Sequence, residues 1–186
     1  MLRIYTPKVA HLFLLNCFLL SANAGLAGPR PISEHTTKKV QAIVSELQAR
    51  LQIAQRIEAS IVPSEKRMVS VQRVHDAISG TDFFEIHLDQ TFFESLNREE
   101  LTAALAHELG HVWISSHHPY LQTEALANEI AMRAVSRESM KKIYGKLWLH
   151  LGTKGNLDEL LGHDETVQAL RPQLAPAPQI RTKLVP

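Results

Sequence analysis

The segment that most restricts how this chain can fold runs from Asn97 to Asn128. Asn97 stands before Arg98-Glu99-Glu100, a pattern in which an Asn side chain caps a helix and a glutamate three residues on returns the bond. Leu101, Ala104, Leu105, Glu108 and Val112 then recur at helical period, so the run His107-Glu108-Leu109-Gly110-His111 lies on a helix. Histidines four apart project from one face of it, one turn apart, where a single metal ion can bridge both imidazoles. The helix can continue to Ser115, Ser116-His117-His118-Pro119 reads as a turn, and a second helix is expected to begin near Tyr120. Glu124 lies four residues after that turn and His111 four before it, so an antiparallel pair of helices sets them level. Asn128 then comes level with His107. Glu124 and Asn128 share a face, whereas Glu129 lies about 140° round the helix from Glu124 at 3.6 residues per turn. The spacing therefore predicts a helical hairpin that brings His107, His111 and Glu124 together as metal ligands. Asn128 becomes the acceptor that holds the His107 ring in its metal-binding tautomer.

The pentapeptide alone decides little. With ten His and 14 Glu in 186 residues, a chance His-Glu-x-x-His arises in about 4% of such chains, so Glu124 and its level-matching carry the argument. Three protein ligands leave a fourth position for water, the mark of a catalytic rather than a structural zinc site. Glu108, beside the ligands but not needed for binding, is placed to take a proton from that water. The chemistry this implies is hydrolysis of a peptide bond assisted by one Zn2+. A donor for the developing oxyanion is also required, and His117, His118, Tyr120 and His150 are the candidates; His117 or His118 is also a candidate third ligand.

A chain of 186 residues has room for one domain with a proper core. Its beginning is set aside first. Arg3 and Lys8 precede an apolar run from Val9 to Leu20 that ends in Ser21-Ala22-Asn23-Ala24, which predicts an export signal over 1–24 cut after Ala24. That run is shorter than the roughly 20 residues a spanning helix needs, so no stable membrane insertion is expected after cleavage. The mature chain would be periplasmic or secreted. Cleavage removes Cys17, the one cysteine, leaving neither a disulfide nor a thiolate ligand. It also removes Arg3 and Lys8 from the 20 basic residues, leaving 18 against 19 acidic ones. So balanced a charge gives no reason to expect nucleic acid as a partner.

Between leader and motif, residues 25–32 are a Gly/Pro-rich linker, and Ser33 can cap a helix carrying Val40, Ile43, Val44, Leu47 and Leu51 on one stripe. Ile57–Val62 and Met68–Val74 have strand composition and, joined through Pro63-Ser64-Glu65-Lys66, read as a hairpin. A third strand, Phe83–Leu88, sets Phe84, Ile86 and Leu88 on one face. The folded domain is expected over 33–151. Beyond it, 152–186 loses periodicity and gathers Pro172, Pro176, Pro178 and Pro186, the composition of a partly disordered tail.

Residues 96–112 resemble the active helix of HtpX-like and prenyl-protein (CAAX) endopeptidases, zinc metallopeptidases of the gluzincin type. Glu124-Ala125-Leu126-Ala127-Asn128-Glu129-Ile130-Ala131 resembles their second ligand segment and, with Asn in place of Asp, also that of the ImmA/IrrE-type metallopeptidases. The resemblance implies an α+β, zincin-like fold, with a small antiparallel sheet packed on an active-site helix and a following ligand-bearing helix. It also implies His107, His111 and Glu124 as zinc ligands, Glu108 as general base, a peptide or protein substrate, and pairing of an extended substrate with the strand 83–88. The gap from His111 to Glu124 is much shorter than in the HtpX-like group, so no particular substrate carries over. The alternative is a secreted zinc-binding protein without proteolytic activity, acting as a chaperone-like or interaction module.

Overall fold

Each long helix starts where a short polar side chain takes up a free backbone N–H of the first turn. Ser33 accepts from Thr36 at the head of α1 (Glu34–Leu51), Asn97 from Glu100 at α3 (Arg98–His117), Thr123 from Leu126 at α4 (Glu124–Ala131), and Ser136 from Ser139 at α5 (Arg137–Leu151). At α3 the capping box is complete, with the Glu100 carboxylate accepting the Asn97 N–H at 2.8 Å. Gly152, at φ 65°, ends α5 in the left-handed conformation that glycine adopts without a steric penalty. The computed structural model describes residues 31–63 and 66–162. The expected signal segment 1–24, the linker up to residue 30 and the tail beyond 162 lie outside the described residues.

Three strands, β1 (Ile57–Val62), β2 (Val69–Asp76) and β3 (Thr81–Asp89), form one sheet in the order β1-β3-β2. The expected hairpin of β1 with β2 does not form. β3 lies between them, antiparallel to β2 and parallel to β1, so the sheet is mixed rather than antiparallel. The hairpin is made instead by β2 and β3, through a turn in which Asp76 accepts from the N–H groups of Ile78 and Ser79 and Gly80 takes φ 66°. Two registers explain the misreading. Val62 pairs with Asp89 and Val69 with Leu88, so both lie at one end of β3. The connection between them crosses a single strand, about 10 Å, which a short loop spans as readily as it closes a hairpin. β3 takes the centre because Phe84, Ile86 and Leu88 are its inner face and are all buried.

The stripe of α1, all five of its expected positions buried, packs with Ile57 and Ala59 of β1 into one core with the inner face of β3. Gln41 of α1 also completes the sheet: its amide donates to Ile57 O at 2.9 Å and accepts from Ala59 N at 3.0 Å, standing in for a neighbouring strand along the outer side of β1. After β3 a short helix that the sequence reading lacks, α2 (Gln90–Ser95), is capped by Asp89 and buries Phe92. The central helix α3 is buried on most sides over its middle turns. Leu105, Leu109, Val112 and Ile114 are fully buried between the sheet, α1, α4 and α5.

Two boundaries differ from expectation. α3 continues to His117, and the second helix starts at Glu124 rather than near Tyr120, because Thr123, not Pro119, supplies the cap. The fold also continues past 151: α6 (Leu157–Leu161) packs on α4 and α5 and buries Leu161 in the core. Only one of its five residues is deeply buried, too little to produce a visible period in the sequence.

Candidate metal centre

The helical hairpin is set by a close approach of backbones. Gly110 faces α4 so tightly that a Cβ there would lie 2.3 Å from the carbonyl oxygen of Ala127. With α3 and α4 that close, the side chains flanking the contact meet. His107 and His111 bring their Nε2 atoms to 3.3 Å, Glu124 Oε2 lies 3.2 Å from His107 Nε2, and Glu124 Oε1 lies 3.7 Å from His111 Nε2. Donors at about 2.0–2.1 Å from a tetrahedral zinc stand roughly 3.3 Å from one another. The contacts of 3.3 and 3.2 Å match that figure, and the third, to the other Glu124 oxygen, is longer at 3.7 Å.

The hydrogen bonds behind the triangle fix what its atoms offer. His107 Nδ1 meets Asn128 Oδ1 at 2.7 Å, while Asn128 Nδ2 donates to Leu160 O. The amide oxygen is thereby turned to His107, whose Nδ1 must carry the proton. His111 is held in the same way. Its Nδ1 donates to Gln122 Oε1 at 3.2 Å, and the Gln122 amide in turn donates to His111 O. Both Nε2 atoms therefore present lone pairs, and Glu124 adds a carboxylate. With both imidazoles neutral these are three acceptors within reach of one another, and a metal ion would take the place of the protons that otherwise bridge the imidazoles to Glu124, in a donor set that suits the nitrogen and oxygen preferences of zinc. Among the described residues no other group of three His, Cys, Asp or Glu side chains comes together in this way.

Electrostatics follow the same geometry. His107 and His111 hydrogen-bond Glu124 and hold its carboxyl far below the ordinary carboxylate range. For His111, burial opposes the charged form, but the bonds to Glu124 and Gln122 and the nearby Glu108 outweigh it and raise its pKa above 6.5. Glu108 is 7% exposed, and burial pushes its carboxyl up against the opposing pull of His107, His111 and, at the cleft wall, Arg67. A carboxylate raised in this way is a better proton acceptor near neutrality.

Glu108, His107, His111 and Glu124 open onto a cleft of about 470 Å³ between α3, α5 and β2. Phe84, Phe92, Met140, Ile143 and Leu147 form its apolar wall. The expected pairing of substrate with 83–88 is not available, since β3 has a strand on each side. Among the described residues, the strand beside the cleft with one side unpaired is β2, which contributes Val69, Val71 and Arg73 to the lining. None of the four histidine and tyrosine candidates for an oxyanion donor lines the cleft. His117 stacks on Trp113 at 4.0 Å, His150 packs edge-on against Phe92, His118 ends α3, and Tyr120 is 97% exposed. Glu129 pairs with Arg133, away from the triangle. Ile114 and Ile130 belong to the core, with Trp113 and Val135 packed against it, and all four stay out of the cleft.

Sequence reading missed Gln122 and Tyr144. Tyr144 lines the cleft and donates from its hydroxyl to Asn128 Oδ1 at 3.0 Å, and burial raises its pKa to about 12. Only the i, i+4 relation of Met140, Tyr144 and Trp148 on α5 hinted at it, and that pattern looks like ordinary core.

No curated protein matches the sequence significantly. The crystal structure of the metallopeptidase zymogen of Pyrococcus abyssi abylysin is similar, at 19% identity and a TM-score of 0.43, over 63% of this chain and 99% of that one. Residues 34–163 match Peptidase family M48. That span takes in every helix and strand from α1 to α6 and well over half of the sequence, so the chain belongs to peptidase family M48 and is a zinc metallopeptidase of the gluzincin type.

Proposed function

We propose that the chain is an exported peptidase that holds one zinc ion with His107, His111 and Glu124 and uses Glu108 as its general base. The observation that carries this reading is the convergence of two imidazole lone pairs and a carboxylate at 3.2–3.7 Å, beside a buried acid that is not part of the set. Bound there, zinc supplies Lewis acidity, which polarises a carbonyl and acidifies water. The Glu108 carboxylate accepts the proton of the attacking water and delivers it to the leaving nitrogen; its raised pKa suits both halves of that transfer. Gln122 and Asn128 keep the imidazoles turned, and Arg67 brings positive charge to the wall where a peptide carbonyl would lie. An extended peptide is held by adding to the unpaired side of β2, and the apolar wall takes a large hydrophobic side chain.

Export rests on the basic, apolar and small-residue pattern of 1–24. Among the described residues no helix is long and apolar enough to cross a membrane. We place the mature chain in the periplasm or medium.

The test is Glu108→Gln, which keeps the shape of the side chain and removes its basicity. The variant is expected to bind zinc as the wild type does and to leave a peptide library uncut. Equal digestion by both proteins would end the assignment of Glu108.

A further inference from the structure

Asn128 is fully buried, and every atom of its amide that can bond has a partner. Oδ1 accepts from His107 Nδ1 at 2.7 Å and from the Tyr144 hydroxyl at 3.0 Å, while Nδ2 donates to Leu160 O at 3.0 Å. An amide can sit either way round, with nearly the same shape. Here the two ways are not equivalent. Turned over, Asn128 would offer N–H groups to His107 Nδ1, which could then accept only by moving its proton to Nε2, the atom that faces Glu124. The Leu160 carbonyl forbids that arrangement because it can only accept.

Leu160 O belongs to the last turn of α6, whose carbonyls no N–H of the same helix can reach. Side chains of other elements take them instead. Arg137 of α5 donates to Leu161 O and Gly162 O, Asn128 of α4 to Leu160 O, and Leu161 anchors the turn with its side chain 2% exposed.

We infer that α6 is a positioning element of the metal site: its Leu160 carbonyl sets the Asn128 amide, and through it the tautomer of His107. The inference rests on the reading of His107 as a ligand. It also explains why asparagine stands at 128. An aspartate would keep the acceptor for His107 but bring its second oxygen to about the 3.0 Å now spanned by Nδ2 and Leu160 O, with no hydrogen between them. Asparagine at 128 and a docked α6 therefore form one unit, and either without the other misplaces the ligand.

A double-mutant cycle on the full chain tests this, with the zinc dissociation constant measured by competition with a chromogenic chelator. Leu161→Ala, which loosens α6, is expected to weaken zinc by about 10-fold or more, the usual cost of losing a ligand's outer partner. Asn128→Asp is expected to weaken it as well. The double variant is expected to bind no worse than Asn128→Asp alone, since undocking α6 relieves the repulsion. Zinc binding by Asn128→Asp as tight as wild type, or two losses that simply multiply, would overturn the inference.

Arg137→Ala releases the same turn without cutting into the core, so it answers the question if Leu161→Ala fails to fold: unchanged zinc affinity counts against α6. The visible spectrum of the cobalt-loaded proteins is a second readout, expected to shift for Asn128→Asp and Leu161→Ala alike. His107→Ala separates the two readings. If it leaves zinc binding intact, the ligand assignment fails; if it abolishes binding while Leu161→Ala and Arg137→Ala do not weaken it, only the role of α6 fails.

Discussion

Replacing Gly110 with alanine sets local propensity against tertiary packing, and the two give opposite signs. Gly110 lies within α3, where alanine is better than glycine by about 1 kcal/mol on intrinsic preference. Its Cβ, however, would stand 2.3 Å from Ala127 O, 2.9 Å from Ala127 C and 3.0 Å from Ala127 Cα. These atoms are backbone, so no side chain can swing aside. Restoring an ordinary carbon–oxygen contact of roughly 3.3 Å requires α3 and α4 to separate by about 1 Å.

Overpacking of this kind costs about 1–3 kcal/mol, which offsets or exceeds the propensity gain. The larger effect falls on the metal. α4 carries Glu124 and Asn128, so the same 1 Å is added to contacts of 3.2 Å at His107 Nε2 and 2.7 Å at His107 Nδ1. Zinc bond lengths tolerate roughly 0.2 Å. Gly110→Ala is expected to weaken zinc by 100-fold or more while the metal-free protein melts within a few degrees of wild type. Chelator competition and thermal melting with and without zinc measure the two quantities. A variant that binds zinc within twofold of wild type and melts several degrees higher would mean that helix propensity decides this site, and the account of the α3–α4 contact would be wrong.

Other perturbations test the surroundings of the site. Because the His111 pKa lies above 6.5 without metal, zinc must displace its proton, and the apparent dissociation constant should rise as pH falls through that raised value, approaching tenfold per unit. Glu124 stays ionised there and adds nothing. In the metal-free chain the sign reverses: stability from protonated His111 is complete below 6.5 and is lost as pH rises through its folded-state pKa. An affinity that stays flat from pH 8 to pH 6 would refute this. Gln122→Ala removes the acceptor on His111 Nδ1 and should cost about 10-fold in zinc affinity at unchanged metal-free stability; a change within twofold would remove Gln122 from the site. Gln41→Leu leaves Ile57 O and Ala59 N without their partner and should destabilise by about 1–3 kcal/mol. Calorimetry reads that directly, and an unmoved melting temperature would show that water replaces the amide.

What was legible in the sequence was local. Caps such as Ser33 and Asn97 act on a backbone N–H three residues on, and the stripe of α1 repeats every three or four residues, so both are written where they act. His107 and His111 share a helix face for the same reason. The level-matching of Glu124 and Asn128 came through although the second helix starts later than expected, since an antiparallel crossing fixes the height of a residue more firmly than its cap.

The sheet order was beyond reach: alternation tells which face of a strand is inward but not which strand lies beside it, so β1 and β2 looked like neighbours although β3 separates them. Tyr144, Gln122 and α6 were hidden for a related reason. Each acts through hydrogen bonds to a residue 11 to 32 positions away, and such bonds leave no period and no motif. The sequence alone determined the course of α1 and α3 and the face that His107 and His111 share, because those depend on backbone geometry over a few residues. Only the tertiary structure decided which strand edge borders the cleft, which side chains turn the two imidazoles, and that the chain past residue 151 returns to the site, because these depend on packing between elements far apart in the chain.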